Sequence, residues 1–157
     1  MRITSADPAS GAASVLARAE ELTMMQALAA RIACEQMTAS AMKILLDSVE
    51  RASSLPTRPG WQQKAAAHAE FFRLLADAAG DQAAGTLAGQ ARLIGDLMCT
   101  VGPAANGMIT SSRRRLLARL SAGDADGAAL EVEEHLRVLH YMGRLAASGP
   151  ARTRAVR

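Results

Sequence analysis

Apolar residues in this chain recur at intervals of three and four residues, in segments that are separated by proline and glycine. This spacing places them on one face of an α-helix, whereas a half-buried strand would alternate apolar and polar residues. No segment shows that alternation. The pattern predicts an all-α protein, an antiparallel bundle of about six helices joined by short loops. The predicted helices span about 13–36, 39–53, 61–79, 82–101, 109–121 and 125–147.

Local signals mark where these helices begin and end. Thr38 and Asp124 have the side chains of helix N-caps, and Asp81 is expected to cap the helix that follows it. Gly80 is expected to end a helix, and the segment 55–60, with two prolines and a glycine, is expected to interrupt the chain.

The length of 157 residues is that of one domain. Residues 1–12 are mostly small or polar and include a proline and a glycine, so they are predicted to be a flexible lead-in. The folded domain is expected to span 13–147, followed by a basic flexible tail at 148–157.

The small positive net charge, +3, is concentrated near the C terminus. Four of the five arginines that follow the last acidic residue, Glu134, lie at or beyond position 144: Arg144, Arg152, Arg154 and Arg157. The other fourteen basic residues of the chain nearly balance fifteen acidic ones. A basic tail of this kind does not predict a nucleic-acid-binding face. No apolar run approaches the roughly 18 residues of a membrane span, and the first residues do not have the pattern of a secretory signal.

Two cysteines, Cys34 and Cys99, are too few for a disulfide framework or a zinc ribbon. We therefore expect a cytoplasmic protein with reduced thiols and no membrane contact. No nucleophile and base, carboxylate pair or phosphate loop can be placed, so we expect no enzymatic activity and no cofactor.

The remaining chemical candidates are three histidines and a run of arginines, Arg113 to Arg115. His68 lies on an apolar helical stripe, where a hydrogen-bonded core residue is the commoner role. His135 and His140 are five residues apart, about 140° around a helix, and are not expected to bind one metal ion together. Three consecutive arginines cannot share one helix face, so two are expected in solvent and one can turn inward.

Three glycines, Gly85, Gly89 and Gly95, lie within the predicted helix 82–101. Each costs about 1 kcal/mol relative to alanine in a helix. They indicate either close approach of another helix or ligand, or simply a sequence that tolerates glycine.

Several segments, in their order and spacing, resemble the FCD domain, the C-terminal effector domain of GntR-type bacterial transcription regulators. The segment 71–81, FFRLLADAAGD, resembles the family's FHxxLxxAAGN, and 113–136 resembles its EHxxILxAIxxxDxxxA followed by HL. The segment 25–34 with Thr38 resembles the family's first helix and the start of its second. The resemblance spans about Glu20 to Tyr141. It implies an effector-binding and dimerising domain, here without the winged-helix DNA-binding domain that precedes it in the family.

In many family members an Asp and three His hold a divalent metal inside the bundle. By the resemblance, His68 stands at the position of the Asp, and Phe72, Arg113 and His135 stand at those of the three His. A guanidinium cannot ligate a metal and repels one. The resemblance therefore implies no ordinary metal site, although His68 and His135 could persist as a degenerate one.

Arg113 could instead supply the positive charge to an organic-acid effector directly, through a bidentate fork. His68, Phe72, Arg113 and His135 are thus the candidate ligand-binding residues, and a small carboxylate-bearing effector is the expected ligand. Glu131 or Glu134 could neutralise Arg113 instead. A cavity lined by His68, Arg113 and His135 would favour sensing.

The alternative is a structural helical interaction module with a degenerate pocket and no ligand, which would pair with its partner through small-residue helix faces. A homodimer is expected on the first interpretation, and the chain itself is expected to make no direct contact with DNA.

Overall fold

The computed structural model describes residues 8–149, with side chains from residue 17 onward, and all regular structure in this part is helical. The all-α prediction is confirmed. Seven α-helices and one 3-10 turn follow one another: α1 (Pro8–Glu35), α2 (Ala39–Ser54), α3 (Trp61–Ala79), α4 (Asp81–Thr86), α5 (Gln90–Val101), the turn Pro103–Ala105, α6 (Asn106–Ser121) and α7 (Ala125–Ala147).

Most of the predicted boundaries are confirmed. Thr38 Oγ1 accepts a hydrogen bond of 3.0 Å from the Ala41 amide at the start of α2. Asp124 Oδ1 accepts one of 2.9 Å from the Gly127 amide at the start of α7. Gly80, with φ of +112°, ends α3 in a conformation that glycine adopts without strain.

The predicted helix 82–101 is wrong, because the chain forms two helices here. Gly89 has φ of +86° and separates α4 from α5. An L-residue rarely adopts this conformation, so glycine at this position is what allows the turn. Asp81 is the first residue of α4, and no side-chain hydrogen bond caps that helix, so its expected capping role is also wrong.

Two helices begin earlier than expected. α1 begins at Pro8, within the segment predicted to be a flexible lead-in, because proline fits the first turn of a helix without losing a hydrogen bond. α6 begins at Asn106 rather than Ile109, directly after the 3-10 turn. Residues 1–7 and 150–157, which hold the rest of the predicted lead-in and most of the predicted tail, lie outside the described residues.

Small side chains let the helices approach one another closely. An added Cβ at Gly95 of α5 would lie 3.2 Å from the Cβ of Ala69 on α3. Of the three glycines in the predicted helix 82–101, Gly95 thus marks the close approach of another helix. This is one of the two interpretations given for these glycines. Not every apolar residue with helical spacing is buried: Leu28 on α1, Leu46 on α2 and Leu93 on α5 are exposed.

The packing leaves an interior region between α3, α6 and α7. α3 packs against α1, α2 and α5, and α7 packs against α1, α5 and α6, but α3 does not come into extensive backbone contact with α6 or α7. Large side chains from the three helices fill the space between them. No helix in the described part of the chain is long and apolar enough to cross a membrane.

Candidate functional site

One face of α3 supplies the first half of the site. Phe71 and Phe72 follow His68 by three and four residues, so both project from the same side of the helix as His68. All three are buried. The two phenylalanine rings meet edge to face, with centroids 6.3 Å apart.

Arg113 enters this face from α6. Its guanidinium carbon lies 4.7 Å from the centre of the Phe71 ring and 4.6 Å from that of Phe72, so the two rings form cation–π contacts with it. Nη2 donates a hydrogen bond of 3.1 Å to the backbone carbonyl of His68, and Nε has no partner. The residue is 1% exposed. Burial lowers the pKa of Arg113 to about 9, although the negative charge of Glu131 acts in the opposite direction.

The other two arginines of the run lie in solvent, as predicted for two of the three. Arg115 extends to Glu131 on α7, and its Nε donates to both carboxylate oxygens, at 3.0 and 3.1 Å. Glu134 is exposed. Among the described residues, no carboxylate forms an ion pair with Arg113. Neither of the two acids that could have neutralised Arg113 by contact does so.

His68 lies on α3, and its backbone carbonyl is the group that accepts the hydrogen bond from Arg113. Its Nε2 is 3.4 Å from Oδ1 of Asn106, the first residue of α6. Burial, and then the charge of Arg113, lower the pKa of His68 to about 4, while the contact with Asn106 acts in the opposite direction. His68 is therefore neutral at pH 7.

His135 completes the site from α7. Its ring stacks on Phe72, with centroids 6.2 Å apart and planes 15° apart. Both ring nitrogens are buried and have no hydrogen-bond partner. Burial, followed by the charges of Arg113, His68 and Arg115, lowers the pKa of His135 well below its usual value. A neutral imidazole with two unpaired nitrogens is costly inside a protein.

This set of residues does not fit the divalent metal that is bound in many members of the family the sequence resembles. Two imidazoles are the only ligating side chains of the four matched positions, and a buried guanidinium lies with them. Within residues 17–149, no group of three or more His, Cys, Asp or Glu side chains is arranged to hold a metal ion. We therefore assign no metal-dependent step to this site.

Two cavities in the described part of the chain lie elsewhere. A groove of about 800 Å³ runs between α3 and the α4–α5 pair, and a second of about 480 Å³ lies between α1 and α4. Neither is lined by His68, Arg113 or His135. The space between α3, α6 and α7 is occupied by the side chains of the site themselves.

The four residues predicted from the sequence, His68, Phe72, Arg113 and His135, are thus brought together on three helices. Two others were missed. Phe71 makes the second aromatic contact with Arg113, and its spacing of three residues from His68 was a signal that could have identified it. Asn106 lies where the sequence predicts a loop, and no local pattern points to its contact with His68.

In comparisons with known proteins, no family model, no curated protein and no solved structure matches this chain. The residues of the site and the resemblance of the sequence motifs are therefore the grounds on which a function can be assigned.

Proposed function

We propose that this chain is the effector-sensing and dimerisation domain of a GntR-like bacterial transcription regulator, and that it binds a small organic acid at Arg113 without a metal. The observation that carries the proposal is a fully buried guanidinium with no carboxylate partner among the described residues. In this proposal the domain acts in the cytoplasm, catalyses no reaction and makes no direct contact with DNA.

The energetics of the site support an anionic ligand. Burying a charge without a counter-ion destabilises a protein, and a carboxylate that accepts hydrogen bonds from a guanidinium removes that cost. The two phenylalanine rings contact the guanidinium of Arg113 through cation–π interactions, whereas a carboxylate binds in the guanidinium plane through N–H groups. The unpaired Nε lies in that plane.

The histidines give the site further capacity for hydrogen bonds. A neutral imidazole offers one donor and one acceptor, and those of His135 are unused. A hydroxyl or carboxylate oxygen of the ligand would satisfy one of them. Because side chains fill the site, binding requires that they move to admit the acid.

The test is a thermal-shift screen of small organic acids against the whole chain. We expect at least one acid to raise the melting temperature, and we expect Arg113→Met to abolish that shift. Arg114→Met is the matched control, since Arg114 is the exposed neighbour on the same helix. An acid that stabilises wild type and Arg113→Met equally would refute the role of Arg113.

A second function has an observation in its favour. The filled space between α3, α6 and α7, and the two cavities elsewhere, fit a structural helical interaction module whose ligand site has degenerated. In that case no acid would change the melting temperature, and Arg113 would serve only as a core residue held by Phe71, Phe72 and the His68 carbonyl.

The dimerisation part of the proposal is supported by one face of α7. Leu130, Val138, Tyr141 and Leu145 are large apolar residues that lie in solvent, within about 80° of one another around the helix. Such a stripe is typical of a contact with another helix. We propose that it pairs with the same stripe of a second copy.

A further inference from the structure

The site between α3, α6 and α7 contains one positive charge that nothing in contact with it neutralises. Arg113 has no carboxylate partner among the residues described. Arg115 is paired with Glu131, at 3.0 Å. Lys64, the other cation that acts on His68, donates its ammonium to the carbonyls of Ser53 and Leu55, at 3.1 and 2.7 Å, where it caps the end of α2.

The two histidines do not add positive charge at neutral pH. Burial and the charge of Arg113 lower the pKa of both His68 and His135. The charged groups that act on them are Arg113 and Arg115 from α6 and Lys64 from α3, and all are cations that oppose protonation. The negative charge of Glu131 acts on Arg113 through space and would repel a further anion.

We propose that the acid bound at Arg113 is a monocarboxylate whose remaining surface is apolar or aromatic. This inference rests on the proposed function and narrows it to one chemical class. A single carboxylate matches the single free charge of the site. The walls offered to the rest of the molecule are the rings of Phe71 and Phe72 and the His135 ring stacked on Phe72.

A second carboxylate would be buried without a counter-charge. It could be accommodated only if His68 or His135 took up a proton against the field of Arg113, and a buried anion without a partner is costly. The site is therefore expected to reject dicarboxylates and phosphorylated acids that otherwise fit.

The experiment compares acids of matched shape by isothermal titration calorimetry on the wild-type chain at pH 7. Benzoate is paired with phthalate, and butyrate with succinate. We expect a monocarboxylate to bind at least about tenfold more tightly than its dicarboxylate partner. A tenfold difference in affinity is the free energy that shifts a pKa by one unit. Titration in two buffers of different ionisation enthalpy should show no proton uptake with the monocarboxylate.

The outcomes separate the inference from the function on which it rests. A dicarboxylate that binds as tightly as its partner, or more tightly, overturns the inference and leaves an acid-binding site at Arg113. If no acid binds in the calorimeter or in the wider thermal-shift screen, both are overturned. The comparison needs no substitution, so it holds even if Arg113→Met fails to fold; where that variant folds, it should lose the binding that Arg114→Met retains.

Discussion

At the scale of single residues, the unusual feature of this protein is a small group of buried polar side chains whose interactions are incomplete. Arg113 has one hydrogen bond and two aromatic contacts, and His135 has an aromatic contact without a hydrogen bond. Unsatisfied groups of this kind lower stability, so their presence indicates that stability is not the property they serve.

Replacing Arg113 by methionine should therefore stabilise the ligand-free protein. Methionine keeps much of the volume and removes a buried charge that has no ion-pair partner among the described residues. We expect the free energy of unfolding to rise by about 1–3 kcal/mol in chemical denaturation, whereas Arg114→Met should change it by about 0.5 kcal/mol or less. A large loss of stability would show that the contacts with Phe71, Phe72 and the His68 carbonyl outweigh the burial of charge.

The stability of the fold should fall as the pH is lowered. His68 and His135 have lower pKa values in the folded chain than the usual 6.5, so the unfolded chain binds more protons below that pH. For His68 the loss develops between about pH 6.5 and its folded pKa of about 4. Each histidine contributes a slope of up to about 1.4 kcal/mol per pH unit in this range.

Denaturation of wild type and His135→Gln at pH 5 and pH 7 measures this effect. Glutamine does not titrate, so the variant should lose less stability on acidification than wild type does. Equal losses in the two proteins would contradict a buried neutral His135.

At the scale of helices, glycine performs three different tasks. Gly89 and Gly80 adopt positive φ and end or separate helices. Gly95 allows α3 and α5 to approach. Gly127 makes room for the cap of α7, since an added Cβ would overlap the Asp124 Oδ2 atom.

Two glycine substitutions should have opposite effects on stability. Gly95→Val places a branched side chain against Ala69 and should lower the free energy of unfolding by about 2 kcal/mol. Gly85→Ala, in α4, meets no atom within 4 Å and should raise it by about 0.5–1 kcal/mol, because alanine is the better helix former. Thermal unfolding of both variants measures the difference. If Gly95→Val were as stable as wild type, α3 and α5 would not be closely packed.

At the scale of the whole molecule, the exposed stripe on α7 suits the pairing of two copies. Two antiparallel copies related by a two-fold axis would place Leu130 of one opposite Leu145 of the other, so each would present the same stripe to its partner, a self-complementary arrangement. The ion pairs of Glu131 with Arg115 and of Arg137 with Glu133 lie within one chain and are not counted in this pairing.

We therefore expect a homodimer in sedimentation velocity at tens of micromolar. Tyr141→Glu, in the middle of the exposed stripe on α7, should raise the dissociation constant of the dimer at least about tenfold. Leu93→Glu is the control, because Leu93 is equally exposed but lies on α5. A wild-type chain that sediments only as monomer would refute this part of the proposal.

The sequence alone determined most of the helical structure. The three- and four-residue spacing of apolar side chains identified the helical segments, and Thr38, Gly80 and Asp124 marked boundaries that the structure confirms. These signals are local: a cap acts within one turn, and periodicity is a property of one segment. The exception is the predicted helix 82–101, which divides into α4 and α5. With three glycines in this segment, the local sequence is compatible with either a helix or a turn at Gly89, and the surrounding packing selects the turn.

The tertiary structure decided which polar residues meet and which acids pair. The sequence indicated that one arginine of the run could turn inward, but not which acid would reach it. Glu131 pairs with Arg115 rather than Arg113 because its side chain reaches out of the core to the exposed arginine. Arg113 is enclosed by Phe71 and Phe72, forty-two and forty-one residues earlier in the chain. The absence of a contacting partner for a buried charge is a property of three packed helices together, and no single helix encodes it.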